Sequence, residues 1–122
     1  MLRLAITEHE VEWPEAGVRL RMVPLTGSVR TRLLDETTVR KADNKGGYAD
    51  VRRDADAFAR AVGLHCIRGW SGVVDEQGNE VAFSREACER FMDIELARDF
   101  VLEQSRSIDR FLYSERDAAK NA

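Results

Sequence analysis

The chain has 122 residues, of which 43% are hydrophobic and 34% charged, with a net charge of −3. This length is typical of one domain that buries roughly two-thirds of its unfolded surface, and the composition excludes wholesale disorder. Because basic and acidic residues are interspersed, and no apolar run approaches the roughly 20 residues of a membrane span, we expect neither nucleic acid nor a membrane as a partner.

Two segments near the start alternate apolar and polar residues, which predicts half-buried strands. Between them, residues 12–17 contain Pro14 and Gly17 and indicate a turn. We expect an antiparallel pair joined by a long loop, with Arg19 and Arg21 facing solvent. Its apolar positions are Leu2, Leu4 and Ile6 in one strand and Val18, Leu20 and Met22 in the other. The acidic run of Glu8, Glu10, Glu12 and Glu15 is interpreted as a solvated loop.

Pro24 should end the second strand, because proline cannot donate a hydrogen bond to a neighbouring strand. A hydroxyl at Thr26 or Ser28 favours the start of a helix. The β-branched residues 37–39 favour its end near Asp35. The apolar face of this helix is Val29, Leu33 and Leu34, and residues 44–47 (Asn-Lys-Gly-Gly) indicate a loop.

A second helix is predicted from Asp50, because apolar residues recur at spacings of three and four. They are Val51, Ala55, Phe58 and Val62. Gly63 fits the left-handed position that ends a helix. Residues 65–74 are then expected to be extended, residues 75–79 to turn at Gly78, and residues 80–83 to return as a short strand or structured loop.

Ser84 predicts the start of a helix to about Asp93, since serine accepts from an unpaired amide of the first turn. Another helix is expected from Ile94, with an apolar stripe that Phe100 and Phe111 widen. The stripe is Ile94, Ala97, Val101, Ser105, Ile108 and Leu112. Residues from about 114 should fray. The prediction is one α+β domain over residues 1–122, mainly helical, with an N-terminal antiparallel β pair and a short hairpin or loop before two C-terminal helices.

No spacing in the sequence matches a known nucleophile, phosphate-binding or zinc pattern. The adjacent His65 and Cys66 should point to opposite faces of an extended segment, and His9 and Cys88 lie far away in sequence. Glu8 and Glu10 interrupt the apolar start too soon for a signal peptide. We therefore expect a cytoplasmic chain with reduced, buried cysteines, no metal, no cofactor and no enzymatic activity.

Large apolar side chains are the candidates for binding another protein. Tryptophan is enriched at interface hot spots, and Trp70 stands between Gly69 and Gly72. A wide helical stripe also fits a groove or helix of a partner. The candidate partner-binding residues are Trp70, Phe100, Ile108, Phe111 and Leu112. The alternative is that Trp70 and the stripe belong to the core.

The order of these segments resembles the small tail assembly chaperones of long-tailed, lambda- and HK97-like bacteriophages and prophages. The resemblance runs from the early segment Val18–Thr26 to the closing Lys120-Asn121. Its sharpest part is residues 70–84, a tryptophan, an acidic glycine turn, an aromatic residue and a helix-capping serine. A proline often precedes that serine in the family, whereas Val81-Ala82 stands here.

The resemblance implies a chaperone in the host bacterium's cytoplasm that binds the tape-measure protein and promotes polymerisation of the major tail (tube) protein around it. It implies that the chaperone is not part of the mature virion. The surplus apolar stripe would also allow the chain to self-associate. The alternatives are a structural head–tail adaptor or tail-completion protein retained in the virion, and a small enzyme or metal protein using His65, Cys66 or Cys88.

Overall fold

The computed structural model describes residues 8–42 and 48–106. These residues form an α+β fold, in agreement with the sequence prediction; the segment from about 114 lies outside them. One sheet has three strands and another has two, and four α-helices complete the described fold. The elements are β1 (His9–Trp13), β2 (Val18–Met22), α1 (Gly27–Glu36), β3 (Thr38–Ala42), β4 (Tyr48–Arg53), α2 (Ala55–Cys66), β5 (Ile67–Ser71), α3 (Arg85–Met92) and α4 (Glu95–Arg106).

The three-stranded sheet has β2 at its centre, with β1 and β5 antiparallel on either side. The predicted alternation in β2 is confirmed: Val18, Leu20 and Met22 are buried, and the two arginines between them are exposed. The outer face carries cross-strand ion pairs, in which Arg19 lies 3.4 Å from Glu12 and 3.6 Å from Glu10. These exposed pairs contribute little to stability, so the buried face holds the sheet on the core.

The N-terminal antiparallel pair is formed by β1 and β2, and β5 borders the other edge of β2. The predicted strand at Leu2–Ile6 lies outside the described residues. Glu10 and Glu12 belong to β1 rather than to a loop. The connection is instead a 3-10 turn at residues 14–16, closed by Gly17 at φ 67°, whose N–H donates to Pro14 O at 3.1 Å. Glycine adopts this left-handed conformation without steric cost.

Helix α1 follows Thr26, as predicted, although the Thr26 side chain makes no capping hydrogen bond. Its end is set by the β-branched residues. Thr37 Oγ1 donates to Leu33 O at 2.7 Å, and Thr38 Oγ1 donates to Leu34 O at 2.6 Å. These bonds satisfy the last carbonyl groups of the helix, and the chain continues as β3, antiparallel to β4. The predicted loop at residues 44–47 lies outside the described residues.

Helix α2 begins and ends later than predicted. Residues 48–53 form strand β4, and the helix starts at Ala55 because Asp54 Oδ1 accepts from Ala57 N at 3.0 Å. It continues through Gly63 to Cys66, so residues 65 and 66 are helical rather than extended. Gly63 is absent from the described glycines with positive φ, which are Gly17, Gly72 and Gly78. The side chain of Met92 in α3 lies so close to Gly63 that a Cβ atom would not fit there, which explains the glycine instead.

Helices α3 and α4 follow the prediction closely. Ser84 Oγ accepts from Ala87 N at 3.0 Å and caps α3, and α4 starts at Glu95. Ion pairs from Arg60 to Asp93 and from Arg98 to Asp56 connect α2 with these two helices. The core lies between the three-stranded sheet and helices α2–α4. Its fully buried large side chains include Leu20, Met22, Val62, Ile67, Met92 and Val101. None of the helices in the described ranges is long and apolar enough to cross a membrane.

Candidate partner-binding cleft

Trp70 is the side chain around which the candidate site is built. It lies in β5 opposite Leu20 of β2, and it is half-buried at the border of the core. Its indole N–H donates to the carbonyl oxygen of Val81 at 2.9 Å. A buried indole N–H needs such an acceptor, and this bond fixes the loop after β5 over one edge of the ring.

The loop at residues 72–83 has defined geometry, although only one β-bridge, Val74 to Glu80, crosses it. Val81 N–H donates to Val73 O at 2.8 Å. The predicted turn at Gly78 is confirmed, with φ 83°. Asp75 Oδ1 accepts from the N–H groups of Gln77 and Asn79, both at 2.9 Å, which holds the turn.

Aromatic rings connect this loop with the helices. Phe83 meets Trp70 edge to face, with centroids 5.0 Å apart and an interplanar angle of 88°. On its other side Trp70 lies 5.3 Å from Phe91 of α3. The contacts continue from Phe91 to Trp13 of β1, which stacks on Phe100 of α4 at 4.9 Å. Edge-to-face and offset-stacked arrangements are the two geometries that the quadrupoles of aromatic rings favour.

An open cleft of about 190 Å³ lies between the loop and α3. Its floor is formed by the rings of Trp70 and Phe91. Its rim includes Val74 and Ile94, whose side chains are 56% and 55% exposed. The remaining lining residues are Val73, Asp75, Val81, Ala87 and Arg90. The surface is therefore mainly apolar, with one acidic and one basic side chain.

Of the two predicted binding residues within the described ranges, Trp70 and Phe100, only Trp70 lines this cleft. Phe100 stacks on Trp13 instead and does not line the cleft. Ile108, Phe111 and Leu112 lie outside the described residues. Within the described part of the predicted stripe, Ala97, Val101 and Ser105 are buried, whereas Ile94 is 55% exposed. For the three buried residues the structure agrees with the alternative interpretation, in which the stripe belongs to the core.

Sequence reasoning missed Val74, Phe91, Arg90 and the exposure of Ile94. Ile94 has the spacing of the core stripe, yet it precedes the first turn of α4 and projects to solvent. Val74 lies between Trp70 and the turn at Gly78, so the sequence does indicate that it is near Trp70. Its place in the cleft depends on the orientation of α3, which local sequence patterns do not contain.

Both cysteines are buried in the core, and His65 is half-buried. Burial raises the pKa of Cys66 to about 12 and that of Cys88 to about 11, so both stay protonated near neutral pH. Burial, followed by the nearby positive charges of Arg68 and Arg32, lowers the pKa of His65. The described residues contain no group of three or more potential metal ligands.

The raised thiol pKa values predict a loss of stability at alkaline pH. The unfolded thiols release protons near the ordinary pKa of 9.0, before the folded ones do. The contribution of the neutral, buried thiols to the free energy of unfolding is thus complete below pH 9.0. It declines as the pH rises toward the pKa values of the folded thiols. Urea unfolding of the protein and of the C66A/C88A variant across this range measures it. Equal pH slopes in both would contradict the prediction.

A family model describing the YdaY prophage protein matches residues 28–121, which include α1 from its second residue onward and all the residues that line the cleft. No curated protein and no solved structure matches the chain. The match covers well over half of the sequence, from the first helix to the last residues. The chain therefore belongs to the YdaY prophage protein family.

Proposed function

We propose that this prophage protein is a tail assembly chaperone that binds the tape-measure protein of its phage and promotes polymerisation of the tail tube around it. Membership of a prophage family supports a role in phage biology. The observation that carries the proposal further is the concentration of exposed apolar side chains at the Trp70 cleft.

The exposed large apolar residues are unevenly distributed. Among the described residues they are Val39, Val74, Phe83, Ile94 and Leu96. Val74 and Ile94 line the cleft, and Phe83 contacts the Trp70 ring at its edge. Leu96 and Val39 do not line the cleft. Such a cluster on a protein with 34% charged residues is typical of a protein-binding site.

The dimensions of the cleft favour a side chain over a cofactor. Small-molecule sites usually have volumes of roughly 300–1,000 Å³. The cleft has about 190 Å³ and is open to solvent. That space fits one or two large apolar side chains, such as the anchors that a helix inserts into a groove. The tape-measure protein, a long helical chain, presents many anchors of this kind.

Co-expression with the tape-measure protein of the same prophage tests the proposal. The wild-type chain should keep this client soluble and co-elute with it. We expect Ile94→Asp to weaken the complex roughly tenfold or more, because a carboxylate at the rim of an apolar cleft loses its hydration on binding. Ile94 is 55% exposed, so the folded chain should retain nearly its full stability.

Val39→Asp is the matched control, because Val39 is 57% exposed and does not line the cleft. It should leave client binding unchanged. Equal loss of binding in both variants, or none in either, would contradict a role for the cleft. Mass spectrometry of purified virions tests the chaperone role independently. This chain at stoichiometric level in the particle would instead identify a head–tail adaptor or tail-completion protein.

A further inference from the structure

The two walls of the Trp70 cleft carry opposite charges. Asp75 lies on the turn wall and Arg90 on the α3 wall. These are the charged side chains among the lining residues, and they differ in what they already bind. A partner that fills the apolar floor therefore meets one charge that is engaged by its own turn and one that forms no ion pair within residues 8–42 and 48–106.

Asp75 is engaged by its own turn. One of its carboxylate oxygens accepts two backbone N–H groups, from Gln77 and Asn79. Glu80 is the bridge partner of Val74, so the two side chains share one face of the loop. The turn wall is thus acidic, and it repels a carboxylate that approaches from that side.

Arg90 is differently placed. Its guanidinium forms no ion pair with another residue of the described ranges, although α3 offers such pairs elsewhere: Arg85 pairs with Glu89 at 3.6 Å, and Asp93 pairs with Arg60. Guanidinium groups bind carboxylates with two parallel hydrogen bonds, and such bonds gain strength beside apolar surface. The cleft therefore combines an apolar anchor site with a cation on one wall.

We infer that the cleft binds an amphipathic helix of the client in which a large apolar anchor is followed or preceded, one turn away, by an acidic residue that pairs with Arg90. The inference rests on the proposed function and names the recognition chemistry at its site. Residues three or four positions apart share one helix face, so anchor and carboxylate reach the cleft together. The acidic turn wall repels the carboxylate of the client helix. That carboxylate therefore has to lie on the α3 side of the cleft, which fixes the orientation of the helix.

The test is the affinity of the full chain for the co-expressed tape-measure protein and for segments of it, measured for R90E and R85E. Arg85 is on the same helix and exposed, but it does not line the cleft. Both variants replace an arginine by a glutamate, so they have the same net charge. We expect R90E to weaken binding roughly tenfold, since like charges then face each other, and R85E to leave it nearly unchanged. Lysine in place of the paired client carboxylate should restore binding to R90E.

The outcomes separate this inference from the function on which it rests. If the wild-type chain does not bind the client, the proposed function fails. If it binds and Ile94→Asp disrupts the complex, but R90E behaves as R85E does, only the Arg90 pairing is overturned. If R90E instead disrupts self-association of the chain measured alone by light scattering, the occupant is a second copy and the inference is wrong.

Discussion

Gly63→Leu should lower the free energy of unfolding by about 3 kcal/mol or more, because α2 and α3 meet at this glycine without room for a side chain. A Cβ atom there would lie 2.5 Å from Cγ and 2.6 Å from Cε of Met92. Met92 is itself fully buried, so it cannot swing into solvent to make room. Chemical denaturation of the variant measures the loss.

Two comparisons separate packing from backbone effects at this position. Gly27 of α1 has open space around it, so Gly27→Ala should be neutral or slightly stabilising. A cycle of Gly63→Ala and Met92→Ala should give a double variant more stable than the sum of the single losses predicts, since the shortened side chain frees the space. Strict additivity would contradict a steric cause.

Trp70→Ala should also cost about 3 kcal/mol of unfolding free energy, because truncation of a large packed ring leaves a cavity. The ring contacts Phe91 and Phe83 and holds the loop through Val81 O at 2.9 Å. Its removal therefore loosens one wall of the cleft as well as the core border. Thermal and urea unfolding, together with amide exchange in residues 72–83, measure the two effects.

The variant Trp70→Phe provides the control. It retains an aromatic ring and loses the indole N–H, so about 1 kcal/mol is expected from the missing hydrogen bond. If Trp70→Ala were no less stable than Trp70→Phe, the aromatic ring would contribute nothing to the free energy of unfolding. Because we expect a large loss, Ile94 is the better position for mapping client binding, as its side chain is largely exposed.

Local chemistry explains which elements could be predicted. The alternation in β2, the turn at Gly78 and the Ser84 cap each depend on residues within a few positions of one another, and all three are confirmed. In each case one short hydrogen bond or one side-chain orientation decides the conformation. The sequence therefore predicted the fold class, the turn at Gly78 and the starts of helices α3 and α4, and it left open whether Trp70 belongs to the core or to a partner-binding surface.

The errors have a common physical origin in distant parts of the chain. Gly63 has the residue type and position of a helix end, but the packing of Met92 accounts for it. The apolar spacing from Val51 is helical, yet pairing with β3 makes that segment a strand. The sequence predicts that residues 67–71 are extended, as they are in β5, but no local pattern indicates that this strand borders β2. The cleft could not be predicted for the same reason, because its two walls come from elements that are distant in sequence.

The central position of β2 also determines the order in which the nascent chain completes its sheet. β1 and β2 are joined by only four residues, Pro14 to Gly17, so both strands of this hairpin are synthesised long before β5. The other edge of β2 stays open until α2 and β5 have been synthesised, since Met22 pairs with Ile67. During that interval the hairpin exposes Leu20 and an unpaired edge, which is where a growing chain is most prone to aggregate. Helix α2 directly precedes β5, and the hydrogen bond from Val23 N to Cys66 O joins the last residue of α2 to the chain just after β2, where the closing strand begins.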